Sequence, residues 1–357
     1  MPLSTSSFKR AIPDTSAAKR LMLGLLAGAL LILAAENTIR VSGGEPDVRD
    51  TAELWASQRA RASALGDDAI VMVGSSRIQL GVDLKEIERL TGKKAVQLAI
   101  DGSTFLDVLD HLSDDPSVTG SVLISSDLRK LFSNTENERP RQWIEFYNQE
   151  YRNLWSPILE QHLKAALQST SALYANIIPL ETLGPLIAGR KRISAPYFKT
   201  LLSRERNADF AKVRMPDFYV NRVLRHLGYA LPAKTYQNLD EFGREVIRVA
   251  DAHRPKFTYT PEKFARIESA LLKLKHRGVK VAIVYFPVSG LVEAINEIRY
   301  PKGDWDEVAK HLSATLIDYR DYAQLRFKLV DGSHLDYRQK SEFTKRLASI
   351  LIDKGLI

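Results

Sequence analysis

Cysteine is absent from all 357 residues. That absence excludes disulfide staples, thiolate metal sites and a thiol nucleophile, and it suits an oxidising compartment without requiring one. The seven histidines are scattered along the chain and none has ligand spacing, so neither a metal nor another cofactor is expected. Internal repeats and low-complexity tracts are also missing. Apolar residues are not scarce: a chain that is 45% hydrophobic and 26% charged can build a packed core, which argues against wholesale disorder. The length suits one large domain with insertions, or two modest ones. Lysine and arginine exceed aspartate and glutamate by eight, so where the basic residues lie matters more than their number.

Charge disappears altogether from Leu21 to Ala35, LMLGLLAGALLILAA, behind Lys9, Arg10, Lys19 and Arg20. Fifteen helical residues rise about 22 Å, short of a hydrocarbon core of roughly 30 Å. Snorkelling by Lys19 and Arg20, with Thr38 and Ile39 beyond the run, lengthens the span. The reading is a basic cytoplasmic tail (1–20), a transmembrane anchor (21–40), then a linker and surface helix (41–68). The positive flank keeps the N-terminus inside and sends the rest to the periplasmic face of a bacterial inner membrane. A cleaved signal peptide is the alternative, because Ala34 and Ala35 are small enough for a processing site. A buried soluble helix fits less well, since no polar face interrupts the run.

From residue 69 the pattern changes. AIVMVG (69–74), AVQLAI (95–100) and SVLISS (121–126) are short continuous apolar runs, as strands buried on both faces require. Asp83 and Gly92 bracket a helix as N-cap and stop, and Ser103 or Thr104 can cap the next one. The rhythm stops over 133–258, a stretch dense in Arg, Tyr, Phe and Pro that reads as helical or irregular. It resumes with a helix opened by Thr260 and Pro261 and closed at Gly278, strands VKVAIVYF (279–286) and TLIDY (315–319), and a helix over 338–353. Strand–helix alternation of this kind predicts an α/β fold: a three-layer, flavodoxin-like parallel sheet carrying a long insertion.

Ligands of such sheets bind beyond the carboxyl ends of the strands. There the chain carries Gly74-Ser75-Ser76-Arg77, Asp101-Gly102-Ser103 and Ser125-Ser126-Asp127, and Asp331-Gly332-Ser333-His334 precedes the last helix. A strand-end serine, a histidine from another loop and an aspartate behind it are the parts of a nucleophilic triad. Each also has an ordinary reading. Gly-Ser-Ser is a common tight turn, Ser75 can substitute for Ser76, His334 can cap the final helix, and Asp331 can be a turn residue. Arg77 can bind an anionic substrate or form a structural salt bridge. Asp127 reads as a turn or cap residue.

Together these segments resemble the SGNH (GDSL-like) hydrolase and acyltransferase superfamily. VMVGSSRIQLG is similar to its first block, with Ser75 where aspartate usually stands and Ser76 at the nucleophile position. VQLAIDGST resembles the second block, and DGSHL its closing Asp-x-x-His. The resemblance implies Ser76 as nucleophile, His334 as base and Asp331 as the acid behind it. It implies an oxyanion hole from Ser76 and Gly102; Ser75 and Arg77, beside the nucleophile in sequence, are candidates to bind the substrate. The third block, Gly-x-Asn-Asp, is replaced by SSDLRKLF, so its asparagine donor is missing and Ser126 is the candidate to stand in. Losing one donor typically costs about 100- to 1,000-fold in rate.

An anchor, a Gly-Ser-Ser block and a large insertion look most like cell-envelope members such as the D-alanyl-lipoteichoic acid transfer and alginate O-acetylation proteins. The implied function is acyl transfer to or from an envelope polysaccharide or similar polymer, beside a membrane-bound O-acyltransferase. A non-catalytic accessory or binding protein is the alternative. The resemblance covers residues 69–132 and 279–352.

Within the unmatched insertion, residues 186–235 hold eleven Lys or Arg against Glu205, Asp209 and Asp217, an excess equal to that of the whole chain. Six aromatic residues interleave with them. Basic plus aromatic suits nucleic acid, anionic lipid or anionic glycan, and an exported location disfavours nucleic acid. The apolar stretch SALYANIIPLETLGPLIAG before it suits the bilayer, a partner's membrane helices, or an ordinary core-facing hairpin.

Overall fold

The computed structural model describes residues 15–132, 138–153, 156–176, 180–193, 196–232, 238–257 and 259–357; Lys9, Arg10 and Lys234 lie outside them. In chain order come α1 (Thr15–Val41), α2 (Ala52–Leu65), β1 (Ala69–Val73), α3 (Ser76–Gly81), α4 (Leu84–Thr91) and β2 (Lys94–Gln97). Then follow α5 (Leu106–Ser113), β3 (Ser121–Ser125) and α6 (Leu128–Phe132). The insertion contributes α7 (Glu138–Phe146), α8 (Ser156–Thr170), α9 (Ala172–Ala175), α10 (Leu180–Ile187), β4 (Phe198–Thr200), β5 (Arg206–Ala208), α11 (Asp217–Leu227) and α12 (Leu239–Ala252). The chain ends with α13 (Pro261–His276), β6 (Val281–Tyr285), α14 (Gly290–Arg299), α15 (Lys302–Ala309), β7 (Thr315–Asp318) and α16 (Tyr337–Asp353).

These elements form two compact units, Met1–Asp47 with Thr170–Ala195, and Val48–Ser169 with Pro196–Ile357. In the first unit α1 is long and apolar enough to cross a membrane over Ser16–Val41. The helix continues past the apolar run at both ends, so its 26 residues rise about 39 Å. Ile39 at its C-terminal end packs on Ala172 and Leu186. The Glu36 carboxylate accepts hydrogen bonds from Ser171 Oγ and from the backbone N–H groups of Ala172 and Leu173, each at 2.8 Å, capping α9. The apolar stretch after residue 170 therefore belongs with the N-terminal helix in its packing.

The second unit is a mixed α/β body around a five-stranded, all-parallel sheet of order β2-β1-β3-β6-β7. Val71 sits between Val96 on one side and Val122 on the other, and β1, β3 and β6 are buried at every position, which only helical cover on both faces allows. The strands end earlier than their apolar runs. Beyond Gln97 the chain leaves the strand geometry, yet the Leu98 and Ile100 N–H groups still donate to Met72 O and Gly74 O.

Local signals act as expected in α4, where the Asp83 side chain accepts from the Glu86 N–H and Gly92 closes the helix in the left-handed region. They fail at α5. Phe105 takes the N-cap position without a side-chain bond, because the Ser103 hydroxyl turns back to Ile100 O at 2.7 Å in its own tight turn. The helix expected on the surface over 41–68 instead buries one face. Trp55 is fully covered and its indole N–H donates to Leu98 O at 3.0 Å.

The insertion also differs from a purely helical or irregular segment, since β4 and β5 pair as an antiparallel hairpin. Part of its basic and aromatic content faces inward, while Arg190, Lys191, Arg192, Lys212, Arg214 and Arg225 are exposed. Arg204 is fully buried, with Nε 2.6 Å from Asp50, while Arg206 meets both Asp50 and Asp101. Tyr197, Phe198, Phe210 and Phe218 surround Leu80 and Ala208 in a small core of their own. Lys340 of α16 donates to Glu205 at 2.6 Å with both side chains buried, tying the last helix to the hairpin. Breaking such a pair strands a buried charge. Lys340→Met is expected to lower unfolding stability by about 3–5 kcal/mol, read from denaturant midpoints, and the double change with Glu205→Gln to lose clearly less. Equal losses in the single and double variants would show that the pair is not what holds this contact.

Candidate active site

Three turns at the carboxyl edge of the sheet meet in the second unit. β1 is followed by Gly74, whose φ of +138° and position against β3 leave no room for a side chain: a Cβ would lie 2.7 Å from Ser125 O. The chain then turns directly into α3, with Ser75 as its N-cap and Ser76 as its first residue. On the far side, Gly332 at φ +75° lets the loop before α16 pass under Ser289, whose carbonyl a Cβ would approach to 2.9 Å, while the Ser289 N–H donates to Gly332 O. These two glycines set the backbone that brings a hydroxyl and an imidazole together.

Ser76 Oγ lies 2.9 Å from His334 Nε2, and His334 Nδ1 lies 2.8 Å from Asp331 Oδ2. Asp331 has no solvent exposure. Its Oδ1 accepts from the backbone N–H groups of Ser333 and His334, at 2.8 and 2.7 Å. Its Oδ2 takes Arg222 Nε of α11 at 2.9 Å as well as the ring of His334. Burial alone would raise its pKa; the partners more than offset this, chiefly His334 and Arg222, and hold it well below the usual carboxylate range. An ionised carboxylate only accepts, so Nδ1 carries the ring proton and Nε2 presents its lone pair to Ser76. Burial pulls the His334 pKa below its ordinary 6.5, Asp331 opposes this, and Arg222 and Arg77 add to it.

A cavity of about 360 Å³ opens in front of this pair. Gly102, at φ +71° on the turn after β2, borders it. Ser75 borders it too and accepts a hydrogen bond from Lys130 Nζ of α6. Arg77 lies in the wall, 2.9 Å from Asp127, which also caps α6 by accepting the Lys130 N–H. The guanidinium of Arg77 is thus a structural ion-pair partner more than a free ligand. Ser126 is not part of the cavity lining. Its N–H donates to Val284 O and its hydroxyl to Asp127 O, so both donors are committed to the sheet edge and α6.

Sequence reasoning missed four groups in this wall. Arg222, hidden in the basic count of the insertion, supports Asp331. His226, one turn on, lies 3.2 Å from Ser333 Oγ, and burial followed by nearby Arg77 and Arg129 pushes its pKa well below 6.5. Lys130 and Arg129 follow the third strand, and no short motif marks them. Among the described residues no group of three or more His, Asp or Glu gathers as a metal site.

Chemically the arrangement can take a proton from Ser76 and leave an alkoxide facing a strongly cationic cavity. No protein-family model matches the chain, and no curated protein matches it.

His334 must be neutral to act as base, and its lowered pKa keeps it neutral further into the acid range. Phosphonylation of Ser76 by a fluorophosphonate should therefore lose rate on acidification with a midpoint below pH 6.5. A midpoint above that value would contradict the burial argument. Asp331→Asn, which removes the charge that fixes the tautomer, should slow labelling by about 10⁴-fold at pH 7.

Proposed function

We propose that the chain is a membrane-anchored serine acyltransferase or esterase of SGNH-like, flavodoxin-like type, acting outside the cytoplasm on an acylated envelope polysaccharide or similar polymer. One observation carries the reading: Ser76 Oγ, His334 Nε2, His334 Nδ1 and Asp331 Oδ2 follow one another at 2.9 and 2.8 Å, from the turn after β1 to the single loop before α16, at one sheet edge. The sheet supports the family resemblance. Its five strands, renumbered among themselves, run 2-1-3-4-5, the flavodoxin-like order, with the switch point beside β1 where Ser76 lies.

In the mechanism, His334 takes the Ser76 proton as Oγ attacks the acyl carbonyl, and Asp331 stabilises the imidazolium that forms. The Ser76 backbone N–H, at the first residue of α3, and the Gly102 turn border the oxygen that gains charge. The leaving group departs with the proton held by His334. A polymer hydroxyl or water then reverses the steps and frees Ser76. The α1 segment and its basic N-terminal flank support an inner-membrane anchor with the α/β unit on the periplasmic side. A membrane-bound O-acyltransferase fits as the acyl source.

Charge narrows the substrate. Arg77 and Arg222 neutralise Asp127 and Asp331, whereas Arg129 and Arg225 border the same cavity as exposed cations. An acyl donor or acceptor carrying carboxylate or phosphate would be drawn to them.

Ser76→Ala should abolish fluorophosphonate labelling of a folded protein; labelling that persists elsewhere in the cavity would overturn the assignment. Arg129→Gln with Arg225→Gln should raise KM for an aryl ester bearing a carboxylate by about tenfold, the range of one or two exposed charge contacts, and alter a neutral ester much less. If Ser76→Ala and His334→Ala both still restore polymer modification in cells, the accessory-protein reading replaces catalysis.

A further inference from the structure

The proposed reaction leaves Lys130 and Ser75 without a task. Both border the cavity, and Ser75 is 3% exposed. Lys130 Nζ donates to Ser75 Oγ and, at 3.2 Å, to Ser103 O on the turn after β2. The lysine is held there by its helix: its N–H is bound by Asp127 at 2.9 Å, and Asp127 is locked by Arg77. Among the described residues its ammonium forms these two hydrogen bonds and no ion pair. Burial lowers its pKa to about 8, against the pull of Asp127 and Asp101, so the group is still mainly cationic at neutral pH.

The hydroxyl it touches has one proton of its own to donate. Ser75 Oγ accepts from Lys130, and among the described residues that hydroxyl donates to no protein group. Ser75 adjoins Ser76 in sequence, precedes it as the N-cap of α3 and borders the same cavity. The cavity therefore offers a polarised O–H donor at the site where negative charge would form, in addition to backbone N–H groups.

We propose that Ser75 and Lys130 form the charge-stabilising side of the site: the Ser75 hydroxyl donates a hydrogen bond to the carbonyl oxygen as it becomes an oxyanion, and the Lys130 ammonium, hydrogen-bonded to Ser75, strengthens that donation. The inference rests on the Ser76 reading above. The Ser76 O–H bond breaks toward His334 Nε2, the Oγ–carbon bond forms, and the carbonyl π pair moves onto the oxygen. That oxygen is bound by Ser75 without proton transfer. On collapse the pair returns, the bond to the leaving alcohol breaks, and His334 delivers its proton to that alcohol. Ser75 is then a catalytic residue, and Lys130 a positioning residue acting through it. A lysine that donates to serine does not serve as its base, so Ser75 is a donor here and Ser76 the nucleophile.

The test uses the full-length protein in detergent with 4-nitrophenyl acetate as substrate and a fluorophosphonate as active-site label. Ser75→Ala and Lys130→Met should each lower kcat by about 100- to 1,000-fold, the range for one lost oxyanion donor, with KM within about twofold. The double variant should be little worse than either, as residues acting in series require. Ser75→Thr, which keeps the hydroxyl on an extended backbone that β-branched residues accept, should recover most of the rate. A kcat within about threefold of the parent in the folded Ser75→Ala protein, or a loss confined to KM, would overturn the proposal while labelling of Ser76 stands. An adduct mapped to Ser75 in the Ser76→Ala variant would overturn it by making Ser75 a nucleophile. A parent protein that neither turns over the ester nor takes the label would instead remove the Ser76 reading, and the proposal with it.

Discussion

A carboxylate with no access to solvent stays ionised only when donors enclose it, and the arrangement around Asp331 follows from that requirement. Two of its donors are the N–H groups of its own loop, which bend the chain so that His334 returns over the carboxylate. The third is the imidazole, whose tautomer is thereby fixed, and the fourth is Arg222 from another part of the chain. Remove the ionised carboxylate and nothing in the pocket decides which ring nitrogen carries the proton, so Ser76 loses a defined acceptor. The left-handed Gly332 and its tight approach to Ser289 serve the same end, because no other residue would let the loop pass there without displacing α14.

Arg222 also explains why the insertion cannot be treated as an appendage of the sheet. Its residues hold the α/β body through buried charge pairs: Arg204 with Asp50 and with the carbonyls of Gln97 and Ala99, Glu205 with Lys340, Arg222 with Asp331. Such pairs contribute little net stability, since desolvation offsets most of the attraction, but each has few alternative geometries. They fix where the hairpin and α11 lie against the strand ends. The carbonyls at the end of β2, which have no further strand to pair with, are satisfied by Arg204.

What could be read from the chain alone was what is local. Continuous apolar runs marked β1, β3 and β6, because strands covered on both faces need no polar face. Asp83 and Gly92 marked α4, because caps act within one turn. Asp331 and His334 stand three residues apart, so a single loop can bring ring and carboxylate together. Arg222, His226 and Lys130 were not legible, since what gives each its role is a neighbour far away in sequence. The basic and aromatic stretch was legible only in part: Arg190, Lys191, Arg192, Lys212, Arg214 and Arg225 are exposed, whereas Arg204, Arg206 and Arg222 turn to Asp50, Asp101 and Asp331, and Tyr197, Phe198, Phe210 and Phe218 pack around Leu80. Three-residue strands such as β4 and β5 carry too little alternation to be recognised.

The two walls of the cavity act on His334 in opposite directions. Asp331 raises its proton affinity, whereas burial and the cations Arg222 and Arg77 lower it, and the net result is an imidazole kept neutral in a site dense with positive charge. A base in such a field would be expected to be weak, yet the same field favours the other product of proton transfer. Under the proposed reaction, when the ring takes the Ser76 proton, negative charge moves onto the substrate oxygen, in a cavity bordered by Lys130 and the exposed guanidiniums at the rim. Under the proposed acyl transfer, the cations that make the histidine a poorer acceptor at rest are repaid at the transition state, where charge separates. The difference between those two states, more than the affinity for an anionic ligand, is what could raise the rate.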